Sequence, residues 1–241
     1  MSELHDYFKT QQEAMIDLIT QMVEIESFST SKAEVDVLVE FMESQFKAMG
    51  ADSVTRFPRE TVGDCLLAKW NSDAAGKPFL FMGHIDTVHP IGWIQDHPVR
   101  HDDEGRIYGP GIVDMKAGNA IAMTAIKGLQ ERGDLPDNPI WFLITTDEEI
   151  GSLQSRALIE DTAKDAGLVL VMEPGVSDGG AVKSWRKGTA SYRLDVEGQA
   201  SHAGVAPEEG INAIIEFAQH ALEINKLNDL KYGTSVSITM I

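Results

Sequence analysis

The first fifty residues carry two amphipathic patterns. Apolar residues recur at spacings of three and four between Met15 and Met22, and again between Val35 and Met42. This spacing predicts two helices, each of which buries one face. The hydroxyl-rich stretch Ser27–Ser31 lies between them. It is typical of a helix start, because its side chains can accept hydrogen bonds from the free backbone N–H groups of the second helix.

Short continuous apolar runs follow, separated by helical patterns. The runs are Cys65–Trp70, Pro78–Met82, Ile140–Thr145 and Leu168–Met172, with a helical stretch at Lys116–Glu131. This alternation predicts an α/β fold, in which a mixed, mainly parallel sheet is covered by helices on both faces.

The pattern changes again near residue 179. An alternating run at 192–196, a helix through Ile211–Ile224 and a last run at Ser235–Ile241 predict a β-α-β piece. We therefore expect a first domain at residues 1–178 and the start of a smaller α+β domain at 179–241. An unpaired terminal strand would expose backbone donors and acceptors, so we expect the sequence to be truncated at its C-terminal end.

Composition and charge exclude several classes of partner. The chain has 38 Asp and Glu against 20 Lys and Arg, a formal charge of -18. Such a field repels phosphate backbones and anionic lipids, so we expect neither a nucleic-acid nor a membrane partner. The single cysteine, Cys65, forms no internal disulfide, and the N-terminus lacks the pattern of a secretory signal. We expect a cytoplasmic protein.

Three of the predicted strands lead to groups that can bind metal. In chain order these groups are His84 with Asp86, then Asp147–Glu149, then Glu173. Because sites in open α/β sheets form at the carboxyl ends of strands, we expect these groups to converge. A further acid, Asp114, lies in a Gly/Pro-rich loop that opens a helix. One imidazole with several carboxylates suits zinc, or a pair of zinc ions that share a bridging carboxylate.

Each candidate also has a structural alternative. Asp147–Glu149 can be a helix N-cap followed by acids that favour the first helical turn. Asp114 can cap the helix that follows it, and His84 can be a histidine satisfied by hydrogen bonds at a strand end. Independent capping, however, does not predict that all of them follow strands or open a helix within one α/β unit.

The roles within the cluster stay open at this point. Asp86 can orient His84 as the partner of a ligating imidazole, or it can bind metal directly, and spacing does not decide between them. Of the neighbours Glu148 and Glu149, one can bind metal while the other takes a proton from water.

Five segments, in order and spacing, resemble the co-catalytic zinc peptidase and deacylase family. That family includes glutamate carboxypeptidase, acetylornithine deacetylase, succinyl-diaminopimelate desuccinylase and aminoacylase. The segments are Gly83–Val88 (GHIDTV), Gly109–Lys116 (GPGIVDMK), Thr146–Ser152 (TDEEIGS), Met172–Gly175 (MEPG) and Gly198–Gly204 (GQASHAG). The Gly109–Gly111 loop and the Ser201–Gly210 stretch look most like the glutamate carboxypeptidase branch.

The resemblance implies a ligand set for two zinc ions per active site, with cobalt as a substitute in vitro. His84 and Glu173 would bind one zinc, Glu149 would bind the other, and Asp114 would bridge them. The family takes a further zinc-binding histidine, and lid residues that bind the substrate carboxylate, from segments beyond the end of this chain. We therefore expect residues 1–241 alone to lack part of the complete ligand set.

The resemblance also implies catalytic roles. Glu148 would be the general base, and Asp86 would orient His84. His202 resembles a lid-domain histidine that reaches the active site of the partner subunit and stabilises the oxyanion, which implies a homodimer formed through the lid domain. From the residues alone, His202 is a loop histidine that can equally be structural.

The expected function is a zinc-dependent hydrolase, similar to glutamate carboxypeptidase, that cleaves a C-terminal peptide or N-acyl amide bond in a small substrate. One alternative is an N-acyl-amino-acid deacylase, which would share every metal residue and differ in its pocket. Another is a non-catalytic fragment or zinc-binding dimerisation module.

Overall fold

The computed structural model of the protein describes residues 3–176 and 180–239. Two compact units divide the chain between Lys183 and Ser184. The expected domain boundary between residues 178 and 179 lies outside the described residues. The two units are therefore described separately.

The first unit combines helices with a main sheet and a short hairpin. In chain order the elements are α1 (Glu3–Thr10), α2 (Gln12–Glu24), α3 (Lys32–Ala48), β1 (Ser53–Phe57), β2 (Cys65–Trp70), β3 (Phe79–His84), α4 (Trp93–Asp96), β4 (Arg100–His101), β5 (Ile107–Tyr108), α5 (Ala117–Arg132), β6 (Ile140–Thr145), α6 (Arg156–Asp165) and β7 (Leu168–Val171).

The main sheet has a parallel centre. Its strand order among the described residues is β1-β2-β6-β3-β7, with β3 parallel to both β6 and β7 and with β1 and β2 antiparallel to their neighbours. The register runs from Phe79 beside Ile140 to His84 beside Thr145. The predicted α/β fold is confirmed, and the register brings the carboxyl ends of β3 and β6 to the same edge.

Hydrophobic packing covers both faces of this sheet. Side chains of α2, α3 and α5 form the larger core with alternate residues of β2 and β6. On the other face Leu67, Leu80 and Leu143 pack against α6. Alternating strand residues therefore serve two different cores, which explains why the strands have continuous apolar sequences. The edge strand β7 has exposed side chains.

The helices predicted near the N-terminus are present, but the predicted use of the serines between them is wrong. Helices α2 and α3 bury their expected faces, and an additional helix, α1, precedes them. Ser31 occupies the cap position of α3 without any side-chain hydrogen bond to the helix. The hydroxyls of Ser27 and Ser29 instead contact the segment that follows β3. Their partners therefore lie far away in sequence, where local pattern gives no signal.

The second unit contains the predicted helix but not the predicted strands. Helix α7 spans Ala213–Asn225, and the Asn212 side chain caps it by accepting from the N–H groups of Ile214 and Ile215. Residues 192–196 and 235–239 form no strand, and residues 240 and 241 lie outside the described part. An alternating pattern marks a face, whereas a strand also requires a hydrogen-bonded neighbour. Across the described ranges, no helix has the length and apolar character to cross a bilayer.

Candidate metal centre

Three strand ends bring the candidate ligands to one edge of the sheet. Strand β3 ends at His84, β6 is followed by a turn at Glu148–Ile150, and β7 is followed closely by Glu173. Strand β3 lies between β6 and β7 and is parallel to both, so the segments that leave them meet beyond the same edge. The expected convergence of these groups is therefore present.

Carboxylates surround one nitrogen of the His84 ring. Its Nε2 atom lies 2.9 Å from Asp114 Oδ1, 3.5 Å from Glu173 Oε1 and 3.7 Å from Glu148 Oε2. Potential ligand atoms lie within 4.8 Å of one another in two groups that share His84. One group adds Glu148 and Glu173, and the other adds Asp114 and Glu149.

The chemistry of this donor set fits zinc. Imidazole nitrogen and carboxylate oxygen are both zinc ligands. The His84 side chain is only 1% exposed, while the acids around it range from partly buried to more than half exposed. Four carboxylates crowded around one buried imidazole repel one another, and a divalent cation between them would relieve that repulsion.

The electrostatics of the cluster follow from burial and from its excess of acids. Burial and the charges of Glu173 and Asp114 raise the pKa of Glu148, although His84 opposes the shift. Burial and Asp114 likewise raise the pKa of Glu149. Burial lowers the pKa of His84, but hydrogen bonds to Asp86 and Glu173 outweigh it and raise that pKa to about 11. In the metal-free protein, the imidazolium of His84 therefore neutralises part of the acidic charge.

Asp86 lies behind the His84 ring, on the side opposite to the acids. The side chain is fully buried, and its Oδ1 atom lies 3.3 Å from His84 Nδ1. Its carboxylate also accepts the backbone N–H groups of Glu148 and Glu149, each at 3.2 Å. This position favours the orienting alternative for Asp86, because the ring nitrogen it contacts is not the one that faces the carboxylates.

The remaining acids differ in their hydrogen-bond partners. Asp147 accepts from the backbone N–H groups of Gln154, at 2.7 Å, and Ser155, at 3.2 Å, just before α6. The Asp147 side chain makes no cap hydrogen bond to the turn that it precedes, so the capping alternative is not met there, while Glu148 and Glu149 belong to the two ligand groups. Asp114 makes no cap contact with α5, and its carboxylate contacts His84.

Two buried residues near the centre were missed by sequence reasoning. Asn119 on α5 donates from Nδ2 to the backbone carbonyl of His84 at 2.7 Å. Lys116 donates from Nζ to the carbonyls of Met22 at 2.9 Å and Ile25 at 3.0 Å, at the end of α2. Burial lowers the pKa of Lys116 to about 7. Both follow Asp114 closely in sequence, but their partners lie on distant segments that no spacing rule identifies.

A cleft of about 450 Å³ adjoins the centre. Asp114 and Glu149 lie on its wall together with the apolar side chains of Val88 and Val113 and the ring of His89. A substrate group in this cleft would therefore lie beside the acids and against a largely uncharged surface.

His202 lies in the second unit. It is exposed, and its Nδ1 atom accepts the backbone N–H of Gly204 at 3.1 Å. This contact stabilises the local turn. The catalytic role expected for His202 stays a prediction.

The chain is similar to known proteins in sequence and in fold. The sequence profile described as Peptidase family M20/M25/M40 matches residues 80–239. The chain is 35% identical to carboxypeptidase G2 of Pseudomonas sp. (strain RS-16), over 91% of this chain and 52% of that protein. It is 28% identical to acetylornithine deacetylase of Proteus mirabilis (strain HI4320), over 89% of this chain and 55% of that protein. The chain thus spans about half the length of these relatives.

A solved structure shares the fold. The crystal structure of a tripeptidase from Staphylococcus aureus is similar with a TM-score of 0.65 at 21% sequence identity, covering 88% of this chain and 56% of that chain. At this identity the likeness concerns the architecture alone.

Proposed function

Since the chain belongs to peptidase family M20/M25/M40, we propose that it carries the metal centre of a hydrolase that cleaves a C-terminal peptide or N-acyl amide bond. The observation that carries this proposal is the convergence of His84 with Asp114, Glu148, Glu149 and Glu173 beyond the carboxyl edge of the sheet. These side chains provide the ligand types, and a possible proton acceptor, that metal-assisted amide hydrolysis requires.

The proposed cofactor is a pair of zinc ions. His84 and Glu173 hold one, Glu149 holds the other, and Asp114 bridges them. The two ligand groups together include all four of these residues, which supports the proposal, and the 2.9 Å contact between Asp114 and His84 supports Asp114 as a shared ligand. When bound, zinc supplies Lewis-acid chemistry, since it polarises a carbonyl oxygen and lowers the pKa of water.

Glu148 is the proposed general base. Its backbone is held by Asp86, and its carboxylate is about half exposed, which leaves it accessible to water and substrate. In the proposed role this carboxylate accepts a proton from attacking water and then returns it to the leaving amine. Asp86 keeps the His84 ring in position during these steps.

The whole protein is proposed to act as a cytoplasmic homodimer, in which His202 from one subunit stabilises the oxyanion in the other. The 35% identical relative named carboxypeptidase G2 supports cleavage of a C-terminal peptide bond. The 28% identical relative named acetylornithine deacetylase supports the second candidate, deacylation of an N-acyl amino acid. Both candidates use the same centre and differ in the substrate group that they accept.

The substitution Glu148→Gln tests the proposed function. Zinc content and hydrolysis are measured with peptides ending in glutamate and with N-acyl amino acids. We expect zinc to be retained while turnover falls roughly 100- to 10,000-fold, because the proton acceptor is lost. The matched control, Glu104→Gln, makes the same charge change at an exposed position in a loop and should leave turnover unchanged.

The outcomes separate the alternatives. Undiminished hydrolysis by the Glu148→Gln variant would show that the base is assigned wrongly. Preferential cleavage of N-acyl amino acids would favour the deacylase. Zinc binding without turnover on any substrate of the panel would favour the non-catalytic alternative.

A further inference from the structure

A buried segment before α3 runs alongside the segment that follows β3. The backbone N–H of Thr87 donates to the carbonyl of Ser27 at 2.8 Å, and the N–H of Ser29 donates to the carbonyl of Thr87 at 3.1 Å. Phe28 and Thr87 form a parallel bridge between these contacts. The side chains of Ser27 and Ser29 are therefore held at fixed positions beside Asp86.

The two serine hydroxyls make different contacts. Ser27 Oγ donates to the backbone carbonyl of Ile85 at 2.6 Å. Ser29 Oγ lies 2.7 Å from Asp86 Oδ2 and 3.2 Å from the Thr87 carbonyl. A hydroxyl has a single proton, and the carboxylate is both the nearer and the charged acceptor, so the Ser29 proton is donated to Asp86.

We propose that Ser29 is a positioning residue of the metal centre, acting through Asp86. Among the described donors to the Asp86 carboxylate, the Ser29 hydroxyl makes the shortest contact. The carboxylate also accepts the backbone N–H groups of Glu148 and Glu149. Asp86 contacts His84 Nδ1 with its backbone carbonyl at 3.0 Å and with its carboxylate at 3.3 Å. Fixing Asp86 therefore fixes the imidazole and the start of the acidic turn together.

The inference has one part that rests on the proposed function and one that does not. The effect on zinc affinity presupposes the proposed metal centre. The effect on the backbone of Glu148 and Glu149 depends only on the hydrogen bonds to Asp86, so it can be measured in the metal-free protein. The two parts can fail separately.

The test compares Ser29→Ala with Ser29→Thr and with the matched control Ser27→Ala. The control removes an equally buried hydroxyl from the same segment, but its partner is a backbone carbonyl and not Asp86. Amide hydrogen exchange at Glu148 and Glu149 is measured without metal, and zinc affinity is measured by competition with a chromophoric chelator. The complete protein is used throughout.

For Ser29→Ala we expect faster exchange at both amides and roughly tenfold weaker zinc binding, the size typical for loss of a partner that orients a ligand. Ser29→Thr keeps a hydroxyl and should restore both properties. Ser27→Ala should change neither, even where it lowers the unfolding temperature.

Three outcomes would overturn the inference. These are unchanged exchange at Glu148 and Glu149 in Ser29→Ala, equal effects of the Ser27 and Ser29 substitutions, and failure of threonine to restore the effect. Absence of zinc binding by the unsubstituted protein would instead overturn the proposed function, while the exchange measurement would still decide the position of Ser29.

Discussion

Glu149 illustrates how a residue suited to hold metal destabilises the metal-free fold. Burial and the charge of Asp114 raise its pKa above the ordinary value of 4.5. The folded state therefore binds the proton of Glu149 more tightly than the unfolded chain does. The resulting stabilisation is fully present below pH 4.5 and is lost as the pH rises through the folded-state pKa. At neutral pH the ionised Glu149 side chain therefore destabilises the metal-free fold.

The substitution Glu149→Gln should consequently stabilise the metal-free protein at pH 7. Glutamine keeps the size of the side chain but removes the repelled charge. We expect a higher unfolding temperature than that of the unsubstituted protein at pH 7, and a difference that shrinks below pH 4.5, where Glu149 is protonated. The measurement is thermal unfolding in a chelator across this pH range.

Added zinc should reverse the order of the two unfolding temperatures. Metal ligands bind in their deprotonated form, so added zinc should stabilise the unsubstituted protein more than the Glu149→Gln variant, and increasingly so at higher pH. Glu104→Gln, at an exposed loop position, is the control for the change in net charge. A Glu149→Gln variant less stable than the unsubstituted protein in chelator at pH 7 would contradict this account.

At the scale of elements, an ionic network joins the start of α3 to β1 and to the loop before β2. Asp64 accepts from Lys32 Nζ at 2.6 Å and from Arg56 Nε at 2.7 Å, and its own backbone N–H donates to Asp36 at 2.8 Å. Burial raises the pKa of Asp64, but hydrogen bonds from Lys32, the Arg59 N–H and Arg56 outweigh it and hold that pKa below 3.8. The network is nearly buried at Asp64, which is 8% exposed.

The substitution Asp64→Ala should therefore lower the free energy of unfolding by roughly 1 to 3 kcal/mol at pH 7, because it removes the charge-assisted hydrogen bonds of Lys32 and Arg56, which keep their contacts with Asp36. A group with a lowered pKa contributes stability above its unfolded pKa and loses that contribution as the pH falls through its folded pKa. The difference in the free energy of unfolding between the two proteins should thus shrink below pH 3.8. Urea unfolding at several pH values measures it.

The control is Glu160→Ala, which removes an exposed partner of Arg156 on α6 and should change stability little. The network would not join these elements as described if Asp64→Ala lowered the free energy of unfolding no more than Glu160→Ala does. A decrease that persists unchanged in acid would contradict it as well.

Strands with continuous apolar sequences were predictable, and a strand that includes polar side chains was not. Strands β2 and β6 begin and end at the predicted residues, because their continuous apolar runs serve two cores. Strand β1 was not predicted, since its five residues are partly exposed and include polar side chains.

The same contrast holds in the candidate site. Convergence of His84, the acidic turn and Glu173 followed from strand ends and parallel pairing. The contacts of Ser29 and Asn119 did not, because they join residues 57 and 35 positions apart in the chain. Such contacts depend on the folded arrangement, which periodicity and spacing do not encode.

At the scale of the molecule, the two units differ in how much they bury. The first unit has the sheet with a core on each face. No described residue of the second unit, 184–239, is buried. Large apolar side chains such as Tyr192, Leu222 and Leu230 are mostly exposed. Burial of apolar surface is the main favourable contribution to folding, so the second unit has little to oppose the conformational entropy of its chain.

We therefore expect the two units to differ sharply in amide hydrogen exchange. Helix α7 should exchange near the rate of an unprotected chain, since a helix of 13 residues without a buried face is marginal in water. Helix α5, which buries one face against the sheet, should show strong protection and thus serves as the control within the same molecule. Exchange followed by mass spectrometry on proteolytic fragments measures both helices at once. Equal protection of α7 and α5 would mean that the second unit buries its apolar residues in solution.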